Sequence, residues 1–135
     1  MLAGIVVCVL VLAAAVAFGL RRRHQDGKLT APRPGQVTAA QLGQPLGTRA
    51  TLLQFSTEVC APCRATRQIL GEVASDLDGV SHVEVDAAER LDLVRLLDVR
   101  RTPTVFVLGP DGQVTRRGSG LMRKDEVLAA LGDAG

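Results

Sequence analysis

In the stretch Thr51-Leu52-Leu53-Gln54-Phe55-Ser56-Thr57-Glu58-Val59-Cys60-Ala61-Pro62-Cys63-Arg64, an apolar run of strand type passes into a helical pattern across two cysteines. Thiols three residues apart at such a junction can close and reopen a disulfide within one turn, so the pair points to redox chemistry rather than to a structural staple. A separation of three in a helical turn suits the roughly 5.5 Å between the Cα atoms of a disulfide. Ala50 to Phe55 reads as a buried strand. Beyond it, Cys63, Ile69, Leu70, Val73, Ala74 and Leu77 recur at spacings near three and four, which predicts an amphipathic helix with Pro62 tolerated in its first turn. Val80 to Val85 alternates as a second strand. Ala87 to Leu97 reads as a second helix with Leu91, Leu93, Val94 and Leu97 on its apolar side. Thr104 to Leu108 is a third strand, Gly109-Pro110-Asp111-Gly112 a turn, Gln113 to Arg117 its hairpin partner, and Lys124 to Leu131 a closing helix. This order predicts a mixed central sheet with helices on both faces.

Leu2 to Leu20 is a run of nineteen residues without a charge. As a helix it would be roughly 28 Å long, close to the hydrocarbon thickness of a bilayer. A cleaved signal peptide expects a basic segment before the apolar run and a small-residue exit after it; Ala13-Ala14-Ala15 instead lies inside the run, and an uncleaved single-pass anchor is the preferred reading. Arg21, Arg22 and Arg23 follow directly, with Lys28 and Arg33 further on, so the positive-inside rule favours a cytoplasmic domain. An extracytoplasmic face stays open, because a lone Cys-x-x-Cys serves as a reductant in the cytosol or as an oxidant outside.

The formal net charge is +2, and removing Arg21 to Arg23 leaves about −1, so no basic nucleic-acid footprint remains. The cluster itself reads as a stop-transfer flank near anionic head groups. With no Trp, no Tyr and three Phe, stacking platforms for single strands are excluded as well. A structural zinc would need four ligands, and beyond the pair the soft candidates are Cys8, His24 and His82, so no metal and no cofactor is expected. Cys8 reads as a packing residue of the anchor. From His24 to Gly47 the density of Pro and Gly suits a tether, in which Thr38 can cap a short helix over Ala39 to Leu42 and let Leu42 and Leu46 dock.

Cys60-Ala61-Pro62-Cys63-Arg64 at the first strand-helix junction, a second strand ending at Asp86, and Arg101-Thr102-Pro103-Thr104 before the third strand together resemble the thioredoxin superfamily. Gly120 is a softer fourth match, and the Pro110-Asp111-Gly112 hairpin resembles its membrane-tethered thiol-disulfide branch as much as its soluble members. The resemblance covers roughly Pro45 to Leu131. It implies a thioredoxin-like α/β domain over 45–135, and the apolar run and composition place ahead of it an anchor over 2–20 and a basic flank and linker over 21–44. This chain also departs from the family pattern: Gln54 stands where a buried acid is common, Val59 where an aromatic is, and His82 where a lysine is.

Cys60 is expected at the start of a helix, where unpaired N–H groups and the helix dipole stabilise a thiolate, and is therefore the candidate nucleophile. Cys63, one turn deeper, would resolve the mixed disulfide, and Pro62 would stiffen the loop between them. The resemblance implies that Pro103 is cis and faces the sulfurs, and that the Thr102 backbone pairs with an extended substrate segment as an added strand. Gln54 cannot accept a proton as a carboxylate would, which leaves Glu58, His82, Asp86 or a water for that task. His82 otherwise reads as an ordinary strand histidine, and Arg64 and Arg67 as a solvated helix face. The expected function is membrane-tethered thiol-disulfide exchange on disulfide-containing proteins, in the reducing direction, with a reductase or a membrane thiol carrier as redox partner. An extracytoplasmic oxidant or isomerase, and a binding module with little turnover, are the alternatives.

Overall fold

β1 (Ala50–Ser56) is buried at every position, and the sheet assembles around it. The computed structural model describes residues 1–30 and 35–133. Within these, β2 (Val80–Asp86), β3 (Thr104–Leu108) and β4 (Val114–Ser119) join β1 in the order β2-β1-β3-β4. β1 runs parallel to β2, and β3 is antiparallel to both β1 and β4. The alternation of side chains across β1 and β3 divides the core in two. On one face Leu52, Val105 and Val107 pack under Leu70 and Val73 of α3 (Ala61–Asp76) and under Val127, Ala130 and Leu131 of α5 (Lys124–Asp133). On the other, Leu53, Phe55, Val83 and Phe106 meet Leu93 and Leu97 at α4 (Leu91–Leu96) and Leu42 of α2 (Ala39–Leu42). Phe55 and Phe106 touch edge to face, centroids 5.7 Å apart. The mixed sheet with helices on both faces is the one expected.

Two segments differ from the sequence-based expectation. The second helix begins at Leu91 rather than Ala87, because Asp86 closes a turn first: its Oδ1 accepts the Ala88 N–H and its carbonyl accepts the N–H groups of Glu89 and Arg90. Leu91, placed on the apolar side by periodicity, is consequently half exposed. Secondly, much of the Pro- and Gly-rich stretch after His24 lies on the domain instead of hanging as a tether. Thr30 bridges to Arg117 and Gln36 to Gln113 along the outer edge of β4. Val37 is fully buried and donates its N–H to Gly112. Thr38 and Gln41 form a reciprocal capping box that starts α2, as the Thr38 reading anticipates, and Leu42 and Leu46 join the core. Arg90 then ties α2 to α4 through the Gln41 carbonyl at 2.7 Å. Pro32, Arg33 and Pro34 of that stretch lie outside the described residues.

Arg117 serves three neighbours at once. Its guanidinium donates to the carbonyls of Leu97 (2.8 Å) and Asp98 (2.5 Å), closing the end of α4, and covers the Phe106 ring at 5.3 Å.

α1 (Leu2–Gln25) carries no buried residue and is long and apolar enough to cross a membrane. The helix runs five residues past Leu20, through the arginine cluster.

A fragment beginning at Gly35 is expected to be more stable than one beginning at Pro45, because only the longer one buries Val37 and Leu42 in the core and bridges Gln36 to Gln113. Urea unfolding followed by far-ultraviolet circular dichroism measures the difference; equal midpoints would show that the segment contributes nothing.

Candidate active site

The end of β1 and the start of α3 are one continuous turn, and Cys60 occupies its hinge. Cys60 is the N-cap of α3 in extended conformation, and its Sγ accepts the Cys63 N–H at 3.3 Å. Pro62 falls in the first turn, where a missing N–H costs no helical bond. Cys60 and Cys63 are joined in a disulfide with Cα atoms 5.2 Å apart. The two sulfurs live in different surroundings: Cys60 is partly exposed, whereas Cys63 retains 1% of its surface.

Antiparallel pairing of β1 with β3 sets Thr104 opposite Phe55. The residues just before Thr104 therefore lie beside those just after Phe55. The Thr102–Pro103 peptide is cis. Thr102 Oγ1 reaches Cys60 Sγ at 3.9 Å and Thr57 Oγ1 at 3.2 Å. The loop is held from behind, since Thr104 Oγ1 donates to the Arg101 carbonyl at 2.6 Å and the Gly120 N–H donates to the Pro103 carbonyl at 2.9 Å. The five residues expected from the motifs, Cys60, Pro62, Cys63, Thr102 and Pro103, thus converge on one spot.

Beneath Cys63 lies a polar cluster that the motifs do not disclose. Gln54 is fully buried, and its Nε2 donates to the Cys63 carbonyl and to Ser56 Oγ, both at 2.9 Å. Those two acceptors fix the amide orientation, so Oε1 faces His82 Nε2 at 3.0 Å. An amide oxygen can only accept, hence His82 carries a proton on Nε2. Burial holds the His82 imidazole below the ordinary histidine range; Glu84 acts in the opposite sense, and Arg67 adds to the lowering. Arg67 of α3 in turn grips Glu84 of β2 with two guanidinium nitrogens, so it is a paired residue and not merely a solvated one. Asp86 is occupied by the Ala88 turn, and Glu58 is exposed on the loop before Cys60.

A cleft of about 720 Å³ opens beside Pro62, Thr102 and Pro103. Its other wall is the end of α1, with Leu20, Arg23 and His24. Sequence reading assigns this arginine cluster to the membrane flank alone; no local pattern signals that it also borders the redox site. Asp26 and Arg101 close the gap between the walls with an ion pair at 2.6 Å.

The thioredoxin family model matches residues 36–133. The chain belongs to the thioredoxin family. Its start at residue 36 coincides with the docked segment that leads to Val37. Among curated relatives, the thioredoxin of Mycoplasma pneumoniae is 28% identical over 89 residues, spanning 65% of this chain and 86% of the relative. Thioredoxin H5 of Oryza sativa subsp. japonica is 29% identical over 68 residues, half of each chain. Spinach chloroplast thioredoxin f is similar in structure, with a TM-score of 0.57 and 26% identity over 65% of this chain and 72% of that one. Chloroplastic thioredoxin z, at 23% identity, shares the fold with a TM-score of 0.60 over 74% and 92%. Family membership and a cysteine pair at bonding distance make this protein a thiol-disulfide oxidoreductase.

The lowered His82 value fixes the sign of a pH effect. As pH falls below roughly 6.5 the unfolded chain takes up a proton that the folded imidazole resists. The contribution of His82 to stability is therefore complete above that range and is lost as pH falls through the folded value. His82→Gln, which keeps a donor toward Gln54, is expected to flatten the pH dependence of the melting temperature between about pH 7 and pH 5. Thermal melts of both proteins by circular dichroism test this, and parallel curves would refute it.

Proposed function

We propose that this protein is a membrane-tethered reductant of protein disulfides, with Cys60 attacking and Cys63 resolving. The observation that carries the reading is the asymmetry of the pair: Cys60 caps α3 and is partly exposed, while Cys63 is enclosed one turn further in. In the reduced protein the helix N-terminus stabilises the Cys60 thiolate, which attacks one sulfur of a substrate disulfide and expels the other as a thiolate. Cys63, deprotonated, then attacks Cys60 Sγ, forms the disulfide seen here and releases the second substrate sulfur. Two electrons pass to the substrate, and a reductase or membrane thiol carrier restores the dithiol. Pro103 borders the cleft with Pro62, and Thr102, whose Oγ1 lies 3.9 Å from Cys60 Sγ, offers its backbone to an extended substrate strand.

Tethering rests on α1. An uncharged helical run of nineteen residues with no buried side chain would leave a large apolar surface in water, which soluble monomers avoid. The span over 2–20 satisfies it, and the arginines behind it favour a cytoplasmic domain. The folded unit takes in the docked segment from residue 36, ahead of the 45–135 expected from the motifs, so that 21–35 joins it to the anchor.

Insulin reduction followed by turbidity tests the roles of the two cysteines. Cys60→Ser is expected to lose all turnover above background. Cys63→Ser is expected to stall as a mixed disulfide through Cys60, visible as a mass increase on that peptide. Turnover surviving in Cys60→Ser would refute the assignment. In intact cells a membrane-impermeant thiol reagent is expected to spare Cys60 until lysis, and labelling from outside would overturn the cytoplasmic orientation.

A further inference from the structure

The end of α1 is seated on the domain by specific contacts. The Gly27 N–H donates to the Ser119 carbonyl at 2.7 Å, and Asp26 pairs with Arg101. Gly27 has a φ of +79°, and a Cβ there would run into the Leu121 carbonyl; a Cβ on Gly120 would come within 3.0 Å of Asp26. The two backbones approach as closely as glycine permits. The wall that α1 contributes to the cleft is therefore a built part of the site.

The cleft as a whole is cationic. Arg23, Lys28, Arg101 and Arg123 line the cleft against a single carboxylate, Asp26, which Arg101 already neutralises. Arg123 is directed to Asp125 and Glu126. Arg23 and Lys28 have no ion pair among the described residues, and both line the cleft together with Thr102 and Pro103. Arg23 follows Leu20 by three residues, about 4.5 Å of helix rise, so the cleft lies at the boundary of the proposed span.

We propose that this cleft is a docking site for an acidic, extended, cysteine-bearing segment presented at the membrane surface by a partner protein. The inference rests on the dithiol reading of Cys60 and Cys63 and adds which partners they serve. Carboxylates flanking the partner's cysteine would meet Arg23 and Lys28 while its backbone lies along Thr102. The volume, about 720 Å³, admits a short segment and no folded domain. The redox edge on one wall favours a peptide over a lipid head group, for which that edge would have no use. Charge complementarity at a site so close to the membrane selects partners and speeds their encounter.

The test uses the full chain in phosphatidylcholine nanodiscs and two fluorescein-labelled nonapeptides, in which a central serine replaces the cysteine so that binding is read without exchange. One peptide carries Asp and Glu around the serine, the other Lys. At low salt the acidic peptide is expected to bind about tenfold more tightly, with the advantage shrinking as salt is raised. Arg23→Glu and Lys28→Glu should each remove most of the advantage. Arg49→Glu, an exposed site at the opposite end of β1 from Cys60, should leave it intact. Equal affinity for the two peptides, or equal losses in all three variants, would overturn the proposal. So would binding of phosphatidylserine vesicles, dependent on Arg23 and Lys28, in the absence of peptide binding. Reduction of bis(2-hydroxyethyl) disulfide by the same wild-type sample reads the dithiol separately: its failure with acidic binding intact would strike the redox reading and uphold the cleft.

Discussion

The antiparallel register between β1 and β3 is the constraint on which the site depends. Cys60 and Pro103 are distant in the chain, and only the pairing of Phe55 with Thr104 brings them together. A slip of one residue would exchange the faces of β3, driving Phe106 and Leu108 toward α3 and Val105 and Val107 toward α4. Both faces are buried and differently shaped, with the Phe55–Phe106 pair on one and the smaller Leu52, Val105 and Val107 on the other, so such a slip is strongly opposed. The hydrophobic core thereby aims the redox machinery without touching it. Hydrogen bonds from Thr104 to the Arg101 carbonyl and from Gly120 to the Pro103 carbonyl then hold the loop that the register has delivered.

What was legible in the sequence was what is decided locally. The Cys60–Cys63 spacing, the largely apolar runs of β1 and β3, the Gly109–Gly112 turn and the Thr38 cap each depend on a few neighbouring residues, and the structure contains all of them. The start of α4 is not visible in an apolar period, which cannot reveal that Asp86 commits the preceding residues to a turn. Composition was misleading for the segment around Val37. Proline and glycine report that a stretch lacks regular hydrogen bonding, not that it lacks packing, and here it is laid along an open sheet edge.

Contacts between elements were not legible. Gln54 and His82 each stand out against the family pattern, but their partnership depends on the parallel register that sets Leu52 beside His82 and Gln54 beside Glu84. Both side chains then rise from the same face toward α3. The arginines after Leu20 carry an adequate local explanation as a membrane flank, and nothing in their spacing announces that Gly27 and Asp26 fold the chain back against Arg101 and Ser119.

The polar cluster under Cys63 has a consequence for the chemistry. A buried carboxylate at position 54 would add a charge beneath the resolving thiol and oppose its ionisation until that carboxylate was itself protonated. Gln54 removes this coupling. Its amide is satisfied on both sides, donating to Cys63 and Ser56 and accepting from His82, so it fixes the first turn of α3 with no charge of its own. Any change of charge in that pocket is displaced to His82, which keeps the same donor in its neutral and protonated forms. The hydrogen-bond geometry beneath the disulfide is therefore independent of pH while the local potential is not, and the potential is further shaped by the Arg67–Glu84 pair spanning α3 and β2. In the proposed mechanism Gln54 therefore holds the Cys63 carbonyl, and with it the first turn of α3, in the same way whether or not the imidazole one amide away carries its second proton.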